Sequence, residues 1–199
     1  MTAPARHVGI LLFDEVEELD VVGPYEVLAA WTRSFPDDGW SVTTMSFSGA
    51  AVTGAKGLTI LPHVAVADAP ALDVLVYPGG WGTRALLADD AHLDWVRAQR
   101  RAVPLLTSVC TGSLVLAAAG LLSGRPATTH WASLDALNEL DETIEVRRDV
   151  RFVDDGDVVT SAGVSAGIDM ALHLVARLAS TETAAAVRRQ IQYDPDPPV

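Results

Sequence analysis

Short apolar runs alternate with amphipathic stretches along the chain, and this alternation predicts strands interleaved with helices. His7 to Phe13, reading HVGILLF, is mostly apolar without a polar face, as in a strand buried on both sides. An acidic loop follows, and Pro24 to Trp31 then carries Val27, Leu28 and Trp31 as a helical apolar stripe. Trp40 to Phe47 alternates and predicts a second strand, while the Gly- and Thr-containing Ala50 to Pro62 predicts a small hairpin at one edge. DVLVY, Asp73 to Tyr77, is a further buried strand, stopped by Pro78-Gly79-Gly80-Trp81-Gly82.

The same logic gives a helix from Asp90 to Arg101, a buried strand from Val103 to Val109 and an Ala/Leu-rich helix from Ser113 to Leu122. Trp131, Leu134, Leu137 and Leu140 fall at helical spacing. Glu145 to Val153 and Asp157 to Ser161 flank the turn Asp154-Asp155-Gly156 as strands. Ile168, Leu172, Val175 and Leu178 mark a final helix from Ile168 to Leu178, and the tail DPDPPV breaks regular structure. Strands alternating with helices specify an α/β three-layer sandwich around a mainly parallel central sheet, with a flavodoxin-like layout. No repeat and no linker divides residues 1–199, so one domain is expected. In such folds ligands bind beyond the carboxyl ends of the strands. The acidic loop, the Gly-Gly-Trp-Gly loop and the turn at Cys110 all lie there.

Composition narrows the chemistry. The 199 residues are 49% hydrophobic and 20% charged, enough for a core without staples. A single cysteine rules out an internal disulfide and a multi-thiolate metal site. It fits a reducing compartment, and with no secretory signal at the N-terminus the expected location is cytoplasmic. The most apolar segment, Leu114 to Leu122, is too short to span a membrane. Fourteen Lys plus Arg against twenty-six Asp plus Glu give a net charge of -12, which disfavours nucleic acid and anionic lipid as partners.

Cys110 is the candidate nucleophile. PLLTSVCTGSLVLAAAG passes from buried strand to helix within about two residues. Thr111, Gly112 and Ser113 are small enough for a sharp turn, the device that exposes a nucleophile at a strand-to-helix elbow. Unpaired N–H groups at a helix start favour a thiolate, so the thiol is expected below its usual value of about 8.5. Among the acids of FDEVEELDVVGP, most read as a solvated loop. Asp20 stands apart because Leu19, Val21 and Val22 surround it, and an apolar setting makes a carboxyl a proton donor near neutrality. Alternatively, Asp20 caps the helix ahead of Pro24. Gly79 and Gly80 leave amides free to face developing charge, and Trp81 reads either as an apolar wall or as a hydrophobic plug. Of the five histidines, His7 opens the first strand, His92 reads as exposed on its helix and His173 as structural; His130, after Thr128-Thr129, is placed to line the cleft. Their spacing matches no metal cluster, and no cofactor motif is present, so neither metal nor cofactor is expected.

With these residues in hand, the whole chain resembles the DJ-1/PfpI superfamily, whose fold is like the class I glutamine amidotransferases. The resemblance rests on VGILLFDEVEELDVVGPYEVL, PGGWGT, SVCTGSLVLAAAGLLSGRPATTHW and AGVSAGIDMALHLV. It is most like the branch holding isonitrile (isocyanide) hydratases and the amidase-like domain of AraC-type regulators. The resemblance implies Cys110 as nucleophile, Asp20 as its partner acid, Thr111 beside them, amides from the Gly79-Gly80 turn, and a homodimer. It also implies a small-molecule substrate, an isocyanide converted to an N-substituted formamide. A 2-oxoaldehyde hydratase or deglycase, and a non-enzymatic redox-sensing or ligand-binding domain, are the alternatives. Thr111 replaces the histidine that follows cysteine in protease-like members, which counts against a peptidase. Trp81 is larger than the residue expected in hydratases and reshapes the pocket. With no recognition helix, autonomous DNA binding is not expected.

Overall fold

In the computed structural model, residues 6–195 are described. The central sheet has seven strands: β1 (Arg6–Leu12), β2 (Trp40–Ser46), β3 (Val64–Ala65), β4 (Val74–Tyr77), β5 (Leu105–Val109), β6 (Phe152–Asp154) and β7 (Val158–Ser161). Their order is β6-β7-β5-β4-β1-β2-β3, with β6 antiparallel to β7 and every other pairing parallel. β4 and β5 are buried along their full length, and β1 from Val8 onward, which explains their lack of a polar face.

Helices α1 (Glu18–Ser34), α6 (Ala166–Leu178) and α7 (Thr181–Gln190) pack together as one layer. The short α2 (Thr83–Leu86) with α3 (Asp90–Ala102), α4 (Gly112–Ala118) and α5 (Leu134–Leu140) forms the other, completing a three-layer α/β sandwich. Among the described residues no helix is long and apolar enough to cross a membrane.

Several elements depart from the sequence pattern, each for a local reason. α1 starts at Glu18 rather than at Pro24, and Pro24 lies inside it. Glu18 and Asp20 occupy the first turn, where the helix dipole favours acids. Asp20 is therefore a helical residue and not a cap. The segment 50–62 does pair Val52–Thr53 with Thr59–Ile60, but it hangs on the acidic loop through Glu15 N–H to Thr53 O and Ala55 N–H to Val16 O, not on the sheet edge. α4 ends at Ala118, just before Gly120 takes up a φ of 75°.

The expected helix from Trp131 begins as a 3-10 turn (Trp131–Ser133) before α5. That change of period turns Trp131 outward, 78% exposed, while Leu140 is exposed at the last residue of α5. The strand expected over 145–153 is broken by Asp149 at φ 57°; Glu145–Val146 pairs instead with Pro126–Ala127. α7 gave no apolar stripe, since only Val187 of TETAAAVRRQ is buried; its start is fixed by Ser180, whose side chain accepts from Thr183 N–H at 3.0 Å. Most of the tail DPDPPV lies outside the described residues.

Candidate active site

Cys110 leaves the end of β5 with φ at +55°, a left-handed backbone that costs a non-glycine residue about 1–3 kcal/mol. Four hydrogen bonds hold it there. Its N–H donates to Ser161 O (3.1 Å) and Ala162 O (3.2 Å), and its carbonyl accepts from Thr129 Oγ1 (2.9 Å) and Ser113 Oγ (3.1 Å). Gly112 must be glycine, because a Cβ would stand 2.4 Å from the Tyr77 carbonyl. The elbow is thus held from both sides, by the backbone at the end of β7 and by the hydroxyls of Ser113 and Thr129.

Cys110 is 6% exposed, and its sulfur faces the carboxyl of Asp20, a residue with no accessible surface. Asp20 Oδ2 accepts the Gly79 N–H at 2.9 Å, whereas Oδ1 is buried without a nitrogen or oxygen partner. Burial first, and the nearby Glu17 charge, push the Asp20 carboxyl up to about 7, against the opposing pull of the Gly79 N–H and the Cys110 thiol. Burial also pushes the thiol up, to about 12, with the Asp20 charge adding to it. This corrects the expectation of a lowered thiol. The amides of Thr111 and Val164 do favour the thiolate, but desolvation outweighs them. The two groups titrate as one unit that carries a single proton and a single negative charge above neutrality.

The Gly79-Gly80 turn locks against this pair. A Cβ on Gly79 would sit 2.5 Å from Thr111 N and 2.9 Å from Asp20 Oδ2, and Gly80 has φ 126°. Its amides, expected to face substrate, are occupied: Gly79 N–H by Asp20, and Gly80 N–H by Thr111 Oγ1 at 3.0 Å. The Thr111 hydroxyl is buried and donates back to Gly80 O, and it also favours the Cys110 thiolate, so it braces the turn beside the sulfur at the cleft wall. Thr83, fully buried, also donates to Gly80 O, at 2.8 Å.

Above the pair opens a cleft of about 380 Å³, lined by Glu17, Gly80, Trp81, Arg84, Cys110, Thr111, His130, Ala132, Ser133 and Val164. Trp81 is 65% exposed at its rim, and the Arg84 guanidinium stacks 4.1 Å from the indole centre. His130 does line the cleft; its Nδ1 accepts from Ala132 N–H, and burial together with Arg84 holds it below the usual histidine value, against Glu17.

Sequence reasoning missed five cleft residues, Glu17, Arg84, Ala132, Ser133 and Val164, and the buried Thr83 behind the turn. Glu17 belongs to the wall and pairs with Lys56, so it is not part of a solvated loop. Val164, a β-branched residue at φ 52°, is invisible to periodicity, as are Thr83 and Arg84 on the short α2. His92, expected to be exposed, is buried with Nε2 2.5 Å from the Tyr77 hydroxyl and away from the cleft. Among the described residues no group of three or more His, Cys, Asp or Glu is arranged to hold a metal ion.

The chain is similar to known proteins along most of its length. The profile of the DJ-1/PfpI family matches residues 6–177. The chain is 44% identical over 194 residues to the isonitrile hydratase of Pseudomonas putida, covering 98% of this chain and 81% of that one. It is 32% identical over 189 residues to the HTH-type transcriptional regulator GbdR of Pseudomonas aeruginosa, covering 95% of this chain but 51% of the regulator. The crystal structure of a THiJ/PfpI family protein from Pseudomonas syringae superposes with a TM-score of 0.87 at 34% identity, covering all of this chain and 79% of that one.

Proposed function

The chain belongs to the DJ-1/PfpI family, and from that premise we propose that it is a cysteine-dependent hydratase converting an isocyanide to an N-substituted formamide. The observation that carries the reading is the buried Asp20 carboxyl, one oxygen unpartnered, set against the strained Cys110 at the floor of a cleft. Likeness to a hydratase over nearly the whole chain supports the substrate class.

The chemistry follows from the shared proton. In the singly ionised pair, one tautomer is thiolate plus carboxylic acid, and the Thr111 and Val164 amides favour it. The sulfur attacks the terminal isocyanide carbon to form an S–C bond, while the Asp20 proton passes to that carbon, giving the thioimidate R–N=CH–S–Cys110. Water then adds at the same carbon, the S–C bond breaks, and nitrogen takes up a proton. R–NH–CHO leaves and the pair regains its proton, so one water is consumed in all. Asp20 handles the proton, and Thr111, with its hydroxyl tied to Gly80, positions the turn. Gly79 and Gly80 hold the acid and the wall, while Trp81 and His130 shape the entrance.

Cys110→Ala is expected to lower turnover of an isocyanide panel by at least about a thousandfold, followed by chromatography of the formamide; near-normal activity in that variant removes the mechanism. A homodimer accompanies this reading. Exposed Leu19 and Val22, with partly buried Ile168 and Ile191, give an apolar face for it, and a monomer in sedimentation equilibrium would refute it. A lone reduced thiol further suits a cytoplasmic setting.

A further inference from the structure

The cleft carries a cation that the hydration chemistry does not use. Arg84 is held in place twice: its guanidinium stacks on Trp81, and Nη1 donates to Gly80 O at 2.9 Å. A guanidinium has five N–H donors, so most remain for a guest. Among the described residues no carboxylate lies within ion-pair reach of Arg84, and of the five arginines without one, Arg6, Arg33, Arg84, Arg101 and Arg189, only Arg84 lines the cleft. The one carboxylate on the cleft wall, Glu17, is matched by Lys56.

Isocyanide geometry says what meets this cation. The R–N≡C unit is linear, so a terminal carbon placed at the Cys110 sulfur directs its substituent along the cleft and out towards the rim. Trp81 stands at that rim, with Arg84 stacked on it. Resting on the hydratase reading above, we propose that the substrates are isocyanides whose substituent bears a carboxylate or similar anion, held by Arg84. Arg84 is then a specificity-determining residue. Its stacked, hydrogen-bonded guanidinium is already oriented, so little freedom is lost when a carboxylate docks.

The test pairs isocyanoacetate with its neutral methyl ester as substrates, and N-formylglycine with its methyl ester as product-like ligands. Affinity is read from tryptophan fluorescence in wild type, Arg84→Gln and Arg84→Lys, each checked for folding by circular dichroism. The wild type is expected to bind the anionic product about tenfold more tightly than the ester, as for a charge-assisted hydrogen bond. The same preference should appear in kcat/KM, collapse in Arg84→Gln and persist in part in Arg84→Lys. Equal affinity for anion and ester in the wild type, or a preference that survives Arg84→Gln, overturns the proposal. Turnover of neither isocyanide with the binding preference intact removes the hydratase reading and leaves the anion site standing. Equal turnover and equal affinity for both do the reverse.

Discussion

Asp20 and Asp154 are carboxylates supplied with opposite surroundings. Asp154, at the end of β6, accepts from His173 Nε2 at 2.7 Å, from Arg177 Nη1 at 3.1 Å and from Gly156 N–H at 2.9 Å. Partial burial would raise its pKa, but His173, the Gly156 amide and Arg177 outweigh that and hold the carboxyl below its usual value. Asp20 is given one amide, a thiol and an unpartnered oxygen, with no cation in contact, and is pushed up to about 7. Withholding cations makes a carboxyl an acid that works near neutrality, whereas surrounding one with them makes a surface brace. The first arrangement costs stability, so its presence in the fold points to chemistry.

The sharpest way to break this contrast is Asp20→Asn, which keeps the shape and removes the proton. Loss of kcat by about a hundredfold to ten-thousandfold is expected for a proton-handling group. The wild-type kcat/KM should rise with pH through about 7, as the pair loses its first proton and gains its reactive charge. That limb should vanish in the variant, because the buried thiol left alone titrates far higher. Stability moves the other way. The unfolded chain releases the Asp20 proton near 3.8 and the folded one only near 7, so wild-type stability falls as pH rises across that window and is level from there to about 9, where the unfolded chain's thiol begins to ionise. The variant should be flatter between those values and more stable at pH 8, by on the order of a few kcal/mol. Urea midpoints against pH measure this, and a wild-type profile as flat as the variant's would contradict the account.

A smaller change probes how the turn holds the pair. Thr83→Val keeps the volume but deletes the donor to Gly80 O, costing about 1 kcal/mol of stability. If the turn orients Asp20, kcat should drop while KM changes little; an effect confined to stability would make Thr83 a packing residue only. The smallest effect is expected at the other carboxylate. Asp154→Asn should cost about 0.5–1 kcal/mol, shrink further in high salt, and leave kcat unchanged. Thermal melts at two salt concentrations, with the rate assayed in parallel, decide it.

Much of the fold is legible along the chain because burial on both faces imposes uninterrupted apolar runs. Those of β1, β4 and β5 appear as HVGILLF, DVLVY and the stretch before Cys110. The elbow is legible too, since only small residues fit where Gly112 meets the Tyr77 carbonyl. Less visible are elements whose stability comes from their neighbours. α7 has no stripe of its own, and the break at Asp149 and the outward Trp131 depend on backbone turns that periodicity does not record.

Residue types and their order determined the parallel sheet, the strained cysteine and the acid drawn into apolar surroundings, because those demands act within a few residues of chain. The ionisation of that cysteine was decided only by tertiary structure. It depends on how completely β5, α1 and the Gly79-Gly80 turn exclude water from one sulfur and one carboxyl. The cleft's free cation was likewise decided in three dimensions. Whether Arg84 has a carboxylate beside it is set by which side chains the fold brings near, and Glu17 is drawn to Lys56 instead.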